Sequence, residues 1–156
     1  MLESIETTQL GLWLRESPSV WAFPMVLTLH TVGLAVLIGA SWVLDLRLLG
    51  IGRHVPLSAF RWVFPTVAVG LVVNLLTGVL LFIKNASTWG VALPFFVKMA
   101  LVVASVATLL PIRSIVMRSS DEQLDAGGNA RMLAVASILA WSAAVTAGRL
   151  LAYTVV

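Results

Sequence analysis

The chain has 156 residues, 60% of them apolar and only 11% charged, with a net charge of +3 and no cysteine. A water-soluble domain is about 45–50% apolar and about 25% charged, so this composition excludes one and points to an integral membrane protein of one domain, residues 1–156. The missing cysteines exclude disulfides, thiolate metal sites and cysteine nucleophiles, and ten basic residues scattered around apolar runs read as topology signals rather than as a nucleic-acid surface.

The chain opens with MLESIETTQL, where Glu3 and Glu6 stand in place of the basic residues of a cleavable signal and no short apolar core follows. Residues 2–16 either form an amphipathic interfacial helix, with Ile5, Leu12 and Trp13 toward lipid, or fray. Four long apolar runs come next, at residues 20–45, 62–83, 94–113 and 132–153. Each meets the roughly 20 residues that a bilayer-crossing helix needs. They are continuous and rich in Leu, Val and Ala rather than alternating, which predicts helices and not barrel strands. The fold expected is all-α, a transmembrane four-helix bundle with short loops. The connection 119–129 (SSDEQLDAGGN) is the longest and most polar and is expected to be mobile.

Six basic residues flank the ends joined by the first and third loops: Arg47, Arg53, Arg61, Arg113, Arg118 and Arg131. Four lie toward the other side, Arg15, Lys84, Lys98 and Arg149. The positive-inside rule then places both termini outside, in the periplasm if the membrane is a bacterial inner membrane. Trp13, Trp21 and Trp89 fall near one interface and Trp42 and Trp62 near the other, while Trp141 is mid-span.

Small residues four apart mark close helix approach in lipid. Span two carries Thr66, Gly70, Asn74 and Gly78, and span four carries Ala136, Ala140, Ala144 and Gly148, so these two spans are expected at the centre of the bundle. Asn74 reads as an interhelical hydrogen bond, or else as a ligand contact. Thr28 and Thr77 can satisfy themselves on their own helices.

Two basic residues within spans stand out. His30 lies about ten residues, or about 15 Å, inside span one. It is either a functional group or a neutral histidine bonded to a neighbouring span. His54 is 24 residues further on, in a loop, so one chain cannot ligate a haem with both histidines; haem b would be five-coordinate, take another axial ligand, or sit between two chains. Arg149 shares a polar stripe with Ser142, Thr146 and Tyr153. It either snorkels to headgroups or turns inward to clamp an anionic or carbonyl group, and Lys98 has the same two readings. Asp45, near the end of span one, is expected to form a structural ion pair with a partner among Arg47, Arg61 and Arg113.

No phosphate loop, HExxH motif, Ser-His-Asp set or intramembrane carboxylate pair appears. The reading that follows is a non-enzymatic membrane protein with a small polar pocket lined by His30 and Arg149. Lys98 and Asn74 are further candidates. The pocket binds a hydrophobic ligand or contacts a larger complex. The alternatives are a minimal redox protein holding a b-type haem or quinone through His30, and an oligomeric channel or transporter. The partners expected are the lipid bilayer and a homo-oligomer or larger membrane complex, with no nucleic acid.

The set W-x-F-P-x-x-L-T-L-H (Trp21–His30), G-L-A-x-L-x-G (Gly33–Gly39), L-D-L-R-L-L-G (Leu44–Gly50), T-G-x-L-L-F (Thr77–Phe82), N-A-S (Asn85–Ser87) and G-R-L-L-A-Y (Gly148–Tyr153), with Pro94, Phe96 and Lys98 between, resembles an uncharacterised family of small bacterial four-span inner-membrane proteins. The resemblance covers nearly the whole chain. It implies an inner-membrane four-helix bundle and no particular activity, and its marks include His30, Asp45, Lys98 and Arg149. It also implies an Asn and a His further along span three, where this chain reads Val106–Pro111.

Overall fold

The computed structural model describes residues 2–120 and 125–154, and among these there is no strand. Two short helices, α1 (Leu2–Glu6) and α2 (Gln9–Glu16), precede the long α3 (Phe23–Leu49). A 3-10 turn at Leu57–Phe60 leads into α4 (Val63–Lys84). The short α5 (Ala86–Trp89) connects to α6 (Leu93–Arg118), and α7 (Gly127–Thr154) closes the chain. Four of these helical stretches are long and apolar enough to cross a membrane. The middle of the 119–129 loop lies outside the described residues.

The helices outrun the apolar runs because local chemistry sets their ends. Pro24 and Pro94 sit in the first turns of α3 and α6, where a missing N–H costs nothing. Gly50 ends α3 in the left-handed region, φ 106°, with its N–H bonded to the Arg47 carbonyl and Ile51 reaching back to Leu46. At the far end of α6 the buried Ser119 hydroxyl donates to the Val116 carbonyl, 2.7 Å away.

α3 packs chiefly on α4 and α6 on α7, and the α3–α7 seam joins the two pairs. The small-residue stripe of span two therefore faces span one, which corrects the expectation that spans two and four share the centre. The α3–α4 crossing is set by Gly33 and Gly70. A Cβ at Gly70 would lie 2.8 Å from the Leu37 backbone N and 3.0 Å from the Gly33 carbonyl oxygen. Only two bare backbones can approach so closely. On α7 the buried residues are Ala130, Ala134, Ser137, Trp141, Ala144, Ala147 and Leu151. From 130 to 144 they are spaced alternately four and three apart, the 3.5-residue repeat of a left-handed bundle seam. Ala136, from the expected stripe, is exposed instead.

The largest apolar cluster fills the half of the bundle away from the termini, around Leu37, Leu44, Leu48, Val63, Ile112, Val116 and Trp141. A smaller one, Leu14, Val26 and Leu81, lies at the termini end. Between them, at the level of His30, the interior is lined by small and polar residues.

Candidate functional site

His30 and the residues around it come from four helices. Antiparallel packing of α3 on α4 brings Thr77 and Asn74 to His30. The His30 Nδ1 lies 2.9 Å from the Thr77 hydroxyl oxygen, and the Asn74 side-chain N–H donates to the His30 carbonyl at 2.8 Å. Asn74 thus makes an interhelical hydrogen bond. Thr77 also donates its single hydroxyl proton to the Val73 carbonyl on its own helix, at 2.7 Å. With that proton committed, Thr77 can only accept from His30, so Nδ1 carries the imidazole proton and Nε2 holds a lone pair. Nε2 has no partner among the described residues and is not sealed from the surroundings. Thr77 satisfies its own helix, as its sequence context suggests, but its spare lone pair was the feature that fixes the imidazole.

Two glycines lie against two basic side chains. A Cβ at Gly78 would lie 3.4 Å from His30 Cε1, so the ring lies against bare α4 backbone. A Cβ at Gly148 would lie 3.4 Å from Lys98 Cε and 3.8 Å from its Nζ, so the lysine stem from α6 runs over bare α7 backbone. Lys98 is half-buried and its charge acts on His30. The ammonium has no hydrogen-bond or ion-pair partner among the described residues. Arg149 is placed elsewhere. It is exposed, as are Thr146 and Tyr153 on the same stripe, and Thr146 and Ser142 bond back to their own helix. The basic neighbour of His30 is therefore Lys98 rather than Arg149. The reason is rotational: the seam of α7 runs through Ala144, Ala147 and Leu151, and Arg149 falls on the opposite side.

A second buried polar group lies nearer the other end of the bundle. Asp45 is 0% exposed, and neither carboxylate oxygen has a hydrogen-bond partner among the described residues. The expected ion pair with Arg47, Arg61 or Arg113 is not what the helices build. Arg47 Nε donates to the Val55 carbonyl at 2.8 Å, bracing the 50–57 loop. Arg61 donates to the Ser119 carbonyl at 2.8 Å, and Arg113 is exposed. Arginines at the ends of spans find loop carbonyls nearer than a carboxylate turned into the bundle. Asp45 faces α7 instead, where Ser137 turns toward it without reaching hydrogen-bonding geometry. Ser41, Ser105 and Ser142 all donate to the carbonyl four residues back, whereas Ser137 does not. One turn further along α7, the Trp141 indole N–H is also buried and has no partner among the described residues. This seam was not legible in sequence, because Ser137 and Trp141 look like ordinary span residues.

The N-terminal residues pack at the end of the bundle nearest His30. They form two helices rather than one or a frayed end, with Gly11 and Leu14 inward and Leu12 and Trp13 exposed. Leu14 packs between Val26 and Leu81, one turn beyond His30 and Thr77 respectively. The Glu6 carboxylate accepts from both the hydroxyl and the backbone N–H of Ser87, each at 2.7 Å, and so ties α1 to α5. Those two bonds, with Arg15 nearby, hold the Glu6 carboxyl below the ordinary glutamate range.

No group of three or more His, Cys, Asp or Glu side chains comes together among the described residues. The sequence model of a family of unknown function, DUF6644, matches residues 1–154, and the chain belongs to that family. No curated protein and no solved structure matches the chain significantly.

Proposed function

We propose that this member of DUF6644 is a non-enzymatic membrane protein that binds a lipid-soluble ligand between His30, Asn74, Thr77 and Lys98. One observation carries the reading. Two complementary polar groups at membrane depth, the Nε2 lone pair of His30 and the ammonium of Lys98, lack partners among the described residues. Unpartnered polar groups inside a membrane are expensive and mark functional sites. A ligand that satisfies both offers an anionic or carbonyl oxygen to Lys98 and a hydroxyl to Nε2, on an otherwise apolar body. A quinone and quinol head group has that chemistry. The six-to-four distribution of basic residues favours termini outside, and the family resemblance favours a bacterial inner membrane.

A second reading, a b-type haem on His30, is favoured by the imidazole itself. A metal-bound histidine donates its other ring N–H to a fixed acceptor, and the 2.9 Å contact between Nδ1 and the Thr77 hydroxyl fits that arrangement.

Purification in mild detergent, followed by an absorption spectrum and mass spectrometry of the extracted small molecules, tests both. The expected result is a lipid-soluble compound at near one per chain, reduced at least tenfold in Lys98→Ala and in Thr77→Val and retained in Thr77→Ser. A colourless protein that carries no such compound, and binds no added quinone, refutes the proposal. A Soret band lost in His30→Ala establishes the second reading in its place.

A further inference from the structure

Three of the four seams around the bundle are not equal to the fourth. α3 lies on α4, α6 on α7 and α3 on α7, but α4 and α6 do not close on each other along their length. They meet near the termini, where the rings of Phe82 and Phe95 stack at 5.2 Å. Away from that contact the seam opens into a groove of about 450 Å³. Its floor is apolar, with Val67 and Leu109 both buried, and Ala68 and Leu71 contribute from α4. Arg113 and Met117 form its end on α6. Arg113 is exposed and has no hydrogen-bond or ion-pair partner among the described residues.

The dimensions and the charge identify an occupant. From Val106 to Met117 the groove follows α6 for about 16 Å. That is about half of the roughly 30 Å hydrocarbon core, one leaflet. A methylene fills about the volume of a water molecule, roughly 30 Å³, so the space matches one acyl chain. Arg113 stands at the membrane edge of the groove, on the side that also carries Arg53 and Arg118, and supplies a cation where a phosphate would lie. We infer that the α4–α6 groove is a binding site for one anionic phospholipid, its acyl chain along Val67 and Leu109 and its phosphate on Arg113. This site is separate from the His30 site and does not depend on what that site holds.

Native mass spectrometry of the full chain in detergent tests the inference, with phosphatidylglycerol or phosphatidylcholine added as probe. One phosphatidylglycerol is expected to stay bound under conditions that strip phosphatidylcholine. Ala68→Trp, which fills the groove from an exposed position, is expected to abolish that adduct. Arg113→Gln is expected to leave lipid binding but lower the preference for phosphatidylglycerol at least fivefold. Equal retention of the two lipids by the native chain overturns the inference, as does an unchanged adduct in a helical, monodisperse Ala68→Trp protein. A native dimer that Ala68→Trp converts to monomer also overturns it, since the groove would then be covered by a second copy.

Discussion

Gly70→Ala probes the crossing that assembles the His30 site. The added methyl would lie 2.8 Å from the Leu37 nitrogen and 3.0 Å from both the Gly33 oxygen and Leu37 Cα, against 3.4 Å for ordinary contact. All three obstacles are backbone, so no rotamer change relieves them, and α3 and α4 must part by about 0.6 Å. Overpacking of this kind costs about 1–3 kcal/mol, or roughly 2–10 °C in Tm for a chain of this size. The displacement also acts on the candidate site. The Asn74–His30 bond starts at 2.8 Å and would stretch to about 3.4 Å, past the 3.2 Å limit of a good N–H···O bond. Thermal unfolding in detergent, followed by circular dichroism, measures the effect. Gly39→Ala is the control. Nothing lies within 4 Å of a Cβ there, and removing a mid-helix glycine should stabilise by about 0.5–1 kcal/mol. A Gly70→Ala protein that melts at or above the native temperature, while Gly39→Ala behaves as stated, refutes the close-approach argument.

Three further outcomes follow from named side chains. Asp45→Asn keeps the shape of a buried group but removes a charge with no counter-charge among the described residues, so Tm should rise, by about 1–2 kcal/mol in stability; a fall in Tm would mean that a cation faces Asp45 in the folded protein. Glu6 titrates below its ordinary value of 4.5, so its hold on Ser87 is complete above that pH and is lost as pH falls through the lowered value. Hydrogen-exchange protection factors of residues 2–16 should therefore be high at neutral pH and fall below pH 4.5, and Glu6→Gln should remove most of that fall; protection that does not change with pH in the native chain would discount the tie. Arg149→Ala should change stability by less than about 0.5 kcal/mol, as for an exposed residue without a partner among the described residues, and leave ligand retention intact; loss of ligand in that variant would return Arg149 to the site.

The sequence and the structure agree where the cause is local and part where it is relational. Apolar length alone locates the four spans, because the bilayer requirement acts on each helix separately. The ends differ by up to five residues, since α6 continues through Arg113 to Arg118 and α7 begins at Gly127, both beyond the apolar runs. The small-residue stripe of span two locates a close approach, yet its spacing is silent on which helix approaches, and that helix is α3. His30 and Asn74 are legible as polar residues at depth, and both take part in the site. The exchange of Arg149 for Lys98 is not legible. Lys98 lies along Gly148 of the neighbouring helix, a placement that requires the register of α6 on α7. Asp45 shows the same limit. Its charge invites an arginine in one dimension, while the three-dimensional seam offers Ser137.

The tie between Glu6 and Ser87 has a consequence for how affinity is measured. With Leu14 wedged between Val26 and Leu81, the N-terminal helices lie across the end of the bundle nearest His30. On the proposed function, the lipid-soluble ligand of His30 enters sideways from the bilayer, after it has already partitioned there. Its occupancy follows mole fraction in lipid, not molarity in buffer. The same protein titrated at two detergent concentrations should return two different aqueous dissociation constants, which collapse to one when expressed per mole of amphiphile.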